Sequence, residues 1–161
     1  MKYLFLTGLF STIFQTGFSQ EFTLNDSIFK PGDQLTSYRV MFEFNKGTIR
    51  EESLPFLDSV VAFLQKHDSL CIEIQNHTDS RGSNAYSVCL SCQRAQAIGE
   101  YFTSKGIELS RLGAHGYKDA YPLVSEEAIL KMTDKNEIEM AHQKNRRTVF
   151  KIISVGNVPK D

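Results

Sequence analysis

Residues 70–82 of this chain read LCIEIQNHTDSRG, and residues 90–95 read LSCQRA. The first stretch opens with alternating apolar and polar side chains, which predicts a half-buried strand. A polar turn follows with one carboxylate, Asp79, and the next helix carries one guanidinium, Arg94, fifteen positions downstream. A strand end and a helix face can hold opposite charges rigidly, close together and open to solvent. That arrangement favours a zwitterionic ligand over bond-breaking chemistry.

The same periodicities predict elements before this stretch. Val40, Phe42 and Phe44 alternate with more polar residues, which predicts a strand beginning near residue 38. A helix is expected to follow it, with Ser53 as the N-cap and Pro55 in the first turn, where the missing N–H of proline costs nothing.

Elements after the stretch are predicted in the same way. A helix is expected over residues 84–105, and strands over 112–117 and 148–155, with a long polar connection over 118–145. The apolar stripe of that helix is predicted from helical spacing to comprise Val88, Cys92, Ala95, Ile98 and Phe102. One-faced alternation in the strands predicts helices on one face of a mixed sheet, a two-layer α/β sandwich in the order β-α-β-α-β-(long connection)-β.

The first nineteen residues have the pattern of a signal peptide. Lys2 provides a positive start, residues 3–14 are largely apolar, and small residues precede Gln20, before which we expect cleavage. No cysteine follows the apolar run directly, so we expect no bacterial lipid anchor there. The chain is therefore predicted to be exported.

The remaining boundaries follow from composition. Residues 20–37 mix turn formers with scattered apolar residues and are interpreted as a linker, with a short edge strand around 27–29. Residues 38–155 are predicted to form the domain, and residues 156–161 a tail. The 161-residue chain has a formal net charge of -1 and no basic run, which argues against nucleic acid as a partner.

Three cysteines are an odd number, and no spacing among them resembles a zinc site. Cys71 lies on the predicted strand, whereas Cys89 and Cys92 lie on the following helix. A bridge from Cys71 to a helix cysteine stays open if that helix packs over the strand. Buried free thiols that act as small apolar residues are favoured.

Each charged residue also has a simpler interpretation. Asp79 alone is typical of a turn that caps its own backbone, and Arg94 alone is typical of a solvated helix face. Arg146 and Arg147 should point to opposite faces of a strand, so at most one can join a site. The simpler role for such an arginine is a salt bridge to the acidic segment 126–139.

Catalytic and metal sites are disfavoured by spacing. His77, His115 and His142 are spread over two strands and a connection without a short metal-ligand spacing. His77 and Asp79 resemble part of a catalytic triad, but no serine or cysteine stands in a nucleophile context. We therefore expect no metal, no cofactor and no hydrolytic activity.

Over residues 39–153 the chain resembles the OmpA-like domain family, the periplasmic peptidoglycan-binding module also found in peptidoglycan-associated lipoproteins and flagellar stator proteins. The resemblance rests on motifs in family order: FEFNKGTI at 42–49, HTDSRG at 77–82, LSCQRA at 90–95, GI at 106–107 with SRL at 110–112, GY at 116–117 and NRR at 145–147. The AHQ sequence at 141–143 is similar to Bacteroidetes-type versions.

The resemblance implies binding without catalysis. It assigns Asp79 to an ammonium group of meso-diaminopimelate in the peptide stem, and Arg94 to a carboxylate of the same residue. Asn45 and Thr78 are implied as hydrogen-bonding neighbours, and Arg146 as a nearby support. Charge-assisted bonds of these two kinds are strong and directional.

Three departures from the family pattern stand near these residues. Ser87 occupies a helix position where the family often has Asn, and Asn76 one where it often has Gly. Cysteines flank the ligand-binding arginine, at Cys89 and Cys92.

The implied role is to tether the cell wall to the outer membrane or envelope from the periplasm. An alternative is an envelope adaptor that binds protein partners through the same fold, with 118–145 as its contact surface. A third hypothesis is an enzyme that acts on muropeptides. Contacts with outer-membrane proteins and a homodimer stay open at this stage.

Overall fold

A computed structural model describes residues 20–81 and 84–156, with only the backbone for 84–87. The predicted signal peptide, the Ser87 side chain and the predicted tail after Gly156 lie outside the described residues. Two short 3-10 turns, at Glu51–Ser53 and Leu109–Arg111, accompany the main elements. The main elements are β1 (Gln34–Ser37), α1 (Leu54–Lys66), β2 (Leu70–His77), α2 (Asn84–Ser104), β3 (Leu112–Lys118), α3 (Glu126–Leu130), α4 (Lys135–Asn145) and β4 (Arg147–Val155).

The four strands form one mixed sheet in the order β1-β4-β2-β3. β2 is interior to the sheet, because it pairs in parallel with β3 and antiparallel with β4. β1 pairs antiparallel with the other side of β4. The sequence-based prediction of a mixed sheet with this order of helices and strands is confirmed.

One face of the sheet carries the hydrophobic core. Ile72 and Ile74 of β2 and Phe150 and Ile152 of β4 are at most 1% exposed. They form one cluster with the buried residues of α1 and α2. The helix residues of this cluster are Phe56, Leu57, Val60, Val61, Phe63, Leu64, Ala95, Ile98 and Phe102. Removing this apolar surface from water is the main term that holds the two layers together.

The first strand lies elsewhere than predicted. β1 is Gln34–Ser37, and the predicted strand around residues 40–44 has only an isolated bridge between Phe42 and Ile49. Residues 41–43 instead turn back on 48–50, with backbone bonds from Arg50 N to Met41 O (3.0 Å) and from Glu43 N to Thr48 O (2.9 Å). The Ser53 hydroxyl also accepts a hydrogen bond from Met41 N (2.7 Å) and donates one to Met41 O (3.1 Å). Ser53 stands at the N-cap position of α1, as predicted, but its side chain makes no capping bond.

The segment before residue 38 contributes to the core. Phe22 stacks on Phe63 at 5.5 Å between ring centroids, and Phe29 meets both rings edge-on. The edge strand of this segment is at Gln34–Ser37 and not around 27–29. The packed unit therefore includes residues that we expected to be a linker.

The C-terminal part of the predicted α2 stripe is confirmed, since Ala95, Ile98 and Phe102 are fully buried, but the N-terminal part is wrong. Val88 is 48% exposed and Cys92 is exposed, whereas Ser91 is fully buried. A Cβ atom added at Gly116 of β3 would stand 2.2 Å from Cys92 N and 2.5 Å from Ser91 Oγ. The helix backbone therefore rests directly on Gly116, and a small residue must face it.

The placement of α2 also determines which cysteines are exposed. Cys71 is a buried free thiol, as expected, but Cys89 and Cys92 are exposed free thiols, so the prediction that they are buried is wrong. No disulfide joins the three, and their apolar role is confined to Cys71.

The start of β3 is tied to helix α1 by a buried arginine. The Arg111 guanidinium donates to Leu64 O (2.8 Å), His67 O (2.9 Å) and Leu70 O (3.0 Å). Carbonyls at the end of a helix have no partner within it, and a cation there also favours the helix dipole. Arg111 therefore fixes the turn from α1 into β2.

We expect Gly116→Ala to lower the free energy of unfolding by about 1–3 kcal/mol, because the added methyl group forces α2 away from β3. Urea denaturation measures the change. Gly113→Ala on the same strand is the matched control, since a Cβ there would stand 3.7 Å from its nearest neighbour. Equal losses in the two variants would contradict the close contact at Gly116.

Candidate functional site

The structure brings the five site residues predicted from the sequence to one cavity of about 720 Å³, which we call the clamp cavity. One comes from the loop before α1, two from the turn after β2, one from helix α2, and one from the position between α4 and β4. The residues are Asn45, Thr78, Asp79, Arg94 and Arg146. Their roles toward a ligand stay predictions.

Asp79 is buried and its carboxylate is held by two arginines. Oδ1 accepts the backbone N–H of Arg81 (3.1 Å), the turn bond expected from the sequence. Oδ2 accepts Arg81 Nε (3.0 Å), Arg81 Nη2 (2.7 Å) and Arg146 Nη1 (2.5 Å). Burial alone would raise the pKa of Asp79, but the bonds from Arg81 and Arg146 outweigh it and hold that pKa below its ordinary value.

Glu139 closes a ring of alternating charges with these residues. It accepts Arg81 Nη1 (2.8 Å) and Arg146 Nη2 (2.7 Å), while both arginines also hold Asp79. The hydrogen bonds from Arg81, and then those from Arg146, lower the pKa of Glu139 to about 2. The ring consists of two carboxylates and two guanidinium groups, so its formal charge is zero.

Sequence reasoning missed Arg81 and Glu139 as parts of this site. In the sequence analysis Arg81 appeared only as one residue of the turn motif, with no role assigned to it. The signal for Glu139 was the acidic segment 126–139, proposed as the simpler partner for one of the two adjacent arginines. Arg146 in fact bonds to that segment and to Asp79 at once.

Arg94 is anchored to the loop that carries Asn45. Its Nε donates to Lys46 O at 3.1 Å, and its guanidinium carbon lies 4.9 Å from the centre of the Phe42 ring. Gly47 permits this approach, since a Cβ there would stand 3.1 Å from Gln93 Cβ. A cation over an aromatic face is held in orientation by the attraction between its charge and the ring.

Thr78 and Asn45 complete the wall between the two charges. Thr78 Oγ1 is buried and has no hydrogen-bond partner among the described residues. Asn45 has a φ of 55°, a left-handed backbone that Asn tolerates better than most residues. A buried hydroxyl without a partner is costly, so a ligand that bonds to Thr78 gains from it.

Asn145 fixes the start of β4 and thereby Arg146. Its side-chain oxygen accepts Leu123 N (2.8 Å) and Val124 N (3.0 Å), and its amide donates to Val124 O (2.8 Å). This side chain imitates a strand partner for residues 123–124. The long connection is therefore tied to the residue that precedes Arg146.

Arg146 and Arg147 line different cavities, as the alternation of side chains along a strand predicts. Arg147 is the Cα partner of His77 in the β2–β4 ladder, and both line a second cavity of about 600 Å³ on the sheet. Arg146 lines the clamp cavity only.

Within the described part of the chain, no three or more His, Cys, Asp or Glu side chains are grouped so as to hold a metal ion. No helix of that part has the length and apolar character needed to cross a membrane.

A model of the OmpA family matches residues 41–136, more than half of the sequence. The chain belongs to the OmpA family. It is 30% identical over 111 residues to the peptidoglycan-associated lipoprotein of Pasteurella multocida, which covers 69% of this chain and 67% of that protein. A solved structure of the peptidoglycan-associated lipoprotein from Burkholderia pseudomallei has a TM-score of 0.57 at 22% identity, covering 70% of this chain and 87% of that one.

Other relatives share only this OmpA-like domain. The P700 chlorophyll a apoprotein A2 of photosystem I from Gloeobacter violaceus is 40% identical over 84 residues, which is 52% of this chain but 10% of that protein. The chain thus spans about two thirds of the lipoprotein relative and a tenth of the photosystem protein. The similarity in both concerns a domain and not the whole activity of the larger protein.

We expect the stability of this OmpA-family domain to fall between pH 7 and pH 5 because of His77. Burial, and then the charge of Arg147, lowers the pKa of His77 to about 4 from its ordinary 6.5. In that window the unfolded chain binds a proton that the folded chain does not, which should cost about 2 kcal/mol. His67, whose pKa burial also lowers, adds to the same trend.

His77→Gln removes the titrating group, so urea denaturation at the two pH values should show a smaller difference than in the wild type. His115→Gln is the control, because His115 lies exposed on the neighbouring strand. The assignment fails if the His77 variant loses as much stability on acidification as the wild type does.

Proposed function

We propose that this protein binds peptidoglycan without catalysis, by holding the diaminopimelate residue of a stem peptide in the clamp cavity. The observation that carries the proposal is that Asp79, a carboxylate, and Arg94, a guanidinium, line the same cavity. Diaminopimelate ends in an ammonium and a carboxylate on one carbon, so a site with one anion and one cation matches both charges.

Asp79 is suited to the ammonium. Among the described residues, Oδ1 accepts only the Arg81 backbone N–H, whereas Oδ2 accepts three bonds. A carboxylate oxygen has about two lone-pair sites, so Oδ1 retains one for a donor from the ligand. Arg81 and Arg146 then act as positioning residues, because they fix the carboxylate through its other oxygen.

Arg94 is suited to the carboxylate. A guanidinium bonds to a carboxylate through two parallel N–H groups, and the Arg94 Nε bond to Lys46 O fixes the plane of that fork. Thr78 and Asn45 supply hydrogen bonds between the two charges. Since the ring of Asp79, Arg81, Glu139 and Arg146 is formally neutral, it repels neither end of a zwitterion.

The relatives support the cellular setting. They include proteins named peptidoglycan-associated lipoprotein and outer membrane protein A. Binding of a cell-wall peptide by a chain of this family would tether the wall to the outer membrane or envelope from the periplasm.

We expect Asp79→Asn and Arg94→Gln each to reduce co-sedimentation with diaminopimelate-type sacculi by at least tenfold. Removing one member of a desolvated charged contact costs about 2–5 kcal/mol, enough to abolish a weak interaction. Asp79→Asn preserves side-chain size and Arg94→Gln keeps a shorter polar side chain, and urea denaturation checks that the variants stay folded. Asp58→Asn and Lys105→Gln are matched controls, since these two form an exposed ion pair of 3.1 Å outside the cavity.

Sacculi with lysine in place of diaminopimelate test the ligand itself. Lysine lacks the second carboxylate, so the wild type should sediment with them poorly. Equal binding to both kinds of sacculi contradicts the diaminopimelate assignment and leaves peptidoglycan binding in place. Wild-type binding by both clamp variants contradicts the site, and no binding by the wild type contradicts the function.

A further inference from the structure

The second cavity lies on the face of the sheet opposite the helices. We call it the sheet-face cavity: about 600 Å³, with β2 and β4 as its floor and tyrosines 38, 117 and 121 around it. The core packs on the other face of these strands, so the sheet-face cavity is separate from the hydrophobic core. It is also separate from the clamp cavity, although Tyr38 borders both.

His77 stands in the floor of this cavity with both ring nitrogens unused. It is 3% exposed, and neither Nδ1 nor Nε2 has a hydrogen-bond partner among the described residues. Its ring stacks on Tyr117, with centroids 5.5 Å apart and 15° between the planes. Buried polar groups are nearly always hydrogen-bonded, so an imidazole held this way is ready for a ligand.

Arg147 stands beside His77, since the two are Cα partners in the ladder. Its Nη2 donates to Tyr121 O at 2.9 Å, and its Nη1 makes a long bond of 3.4 Å to Asn145 O. No salt bridge to a carboxylate is formed by Arg147 within the described residues. A guanidinium has five N–H donors, so several remain for a ligand.

Aromatic rings surround this polar floor. Tyr121 is 62% exposed and meets Tyr117 edge-on at 5.5 Å between centroids. The Tyr117 hydroxyl is occupied, because it donates to Glu73 Oε1 at 2.9 Å, which fixes that ring. The rings therefore present flat apolar faces next to hydrogen-bonding groups.

The polar groups offer donors and acceptors together. A neutral imidazole has one donor and one acceptor nitrogen, and burial keeps His77 neutral at physiological pH. Gln75, which lines the cavity, donates to Glu73 through Nε2 at 2.6 Å, so its side-chain oxygen remains an acceptor. A carboxylate or phosphate would use only the donors and leave the acceptors unsatisfied. A hydroxyl group is both donor and acceptor, so it satisfies both kinds.

From this set we propose that the sheet-face cavity is a saccharide site, which takes a neutral pyranose ring against the exposed ring of Tyr121 and beside the His77–Arg147 floor. The C–H face of a pyranose lies flat on an aromatic ring, while its hydroxyls bond at the ring edge to planar polar side chains. The ring would come from a glycan strand or from another polysaccharide of the envelope, which share this chemistry.

Calorimetric or NMR titration of the full chain with chitotetraose, the β-1,4-linked tetramer of N-acetylglucosamine, tests the proposal. This probe contains no peptide and no diaminopimelate, so its outcome is independent of the clamp cavity. We expect saturable binding with resonance shifts at His77, Tyr117 and Tyr121. Tyr121→Ala and His77→Phe should each weaken it about tenfold or more, the loss of one stacking face or of one buried hydrogen-bonding group.

The variants are chosen to keep the fold. Tyr121 is largely exposed, and His77→Phe retains the stack on Tyr117 while removing both nitrogens. Phe44→Ala is the matched control, because Phe44 is an exposed aromatic residue outside the sheet-face cavity. It should bind chitotetraose as the wild type does.

Equal binding of maltotetraose supports the saccharide class and identifies the pyranose ring as the recognised group. The proposal is overturned if chitotetraose does not bind saturably, or if Tyr121→Ala and His77→Phe both bind it like the wild type. It is also overturned if acetate or phosphate shifts the His77 and Tyr121 resonances and neither saccharide does, since the cavity is then an anion site.

Discussion

The antiparallel pairing of β2 with β4 is the constraint on which both cavities depend. It sets His77 opposite Arg147, so that the chain just after β2 and the chain just before β4 meet at one end of the sheet. Asp79 and Arg146 are thereby brought within 2.5 Å of each other, although they are 67 positions apart in the sequence. The β2–β4 ladder thus sets the distance between Asp79 and Arg146.

The buried carboxylate of Asp79 explains why the long connection must dock. Desolvation of a charge is costly unless cations and hydrogen bonds compensate for it. Arg81 comes from the same turn, whereas Arg146 stands between α4 and β4, next to Asn145, which bonds to residues 123–124. Glu139 of α4 bonds to both arginines. The charge ring therefore joins the clamp cavity to the long connection.

Much of this fold and site could be predicted from local patterns, because period-2 alternation marks β2 and β4 and the motif order marks the residues of the clamp cavity. The predictions that were wrong concern contacts that a local sequence pattern does not contain. Alternation at residues 40–44 did not give a strand of the sheet, because these residues pair with 48–50 and Met41 also bonds to the Ser53 hydroxyl. The N-terminal part of the α2 stripe was predicted wrongly, because the fit of Gly116 against the helix backbone cannot be read from helical spacing. Glu139 was missed because one of its two partners, Arg81, lies 58 positions away in the sequence.

Of the three consecutive residues Asn145, Arg146 and Arg147, the two arginines line the two cavities, one each. Asn145 holds the connection, Arg146 turns to the clamp cavity, and Arg147 turns to the sheet-face cavity. Successive side chains at a strand point to opposite faces, so a one-residue shift here would exchange the two arginines and remove both sites together. The register of β4 therefore fixes which of the two cavities each arginine lines.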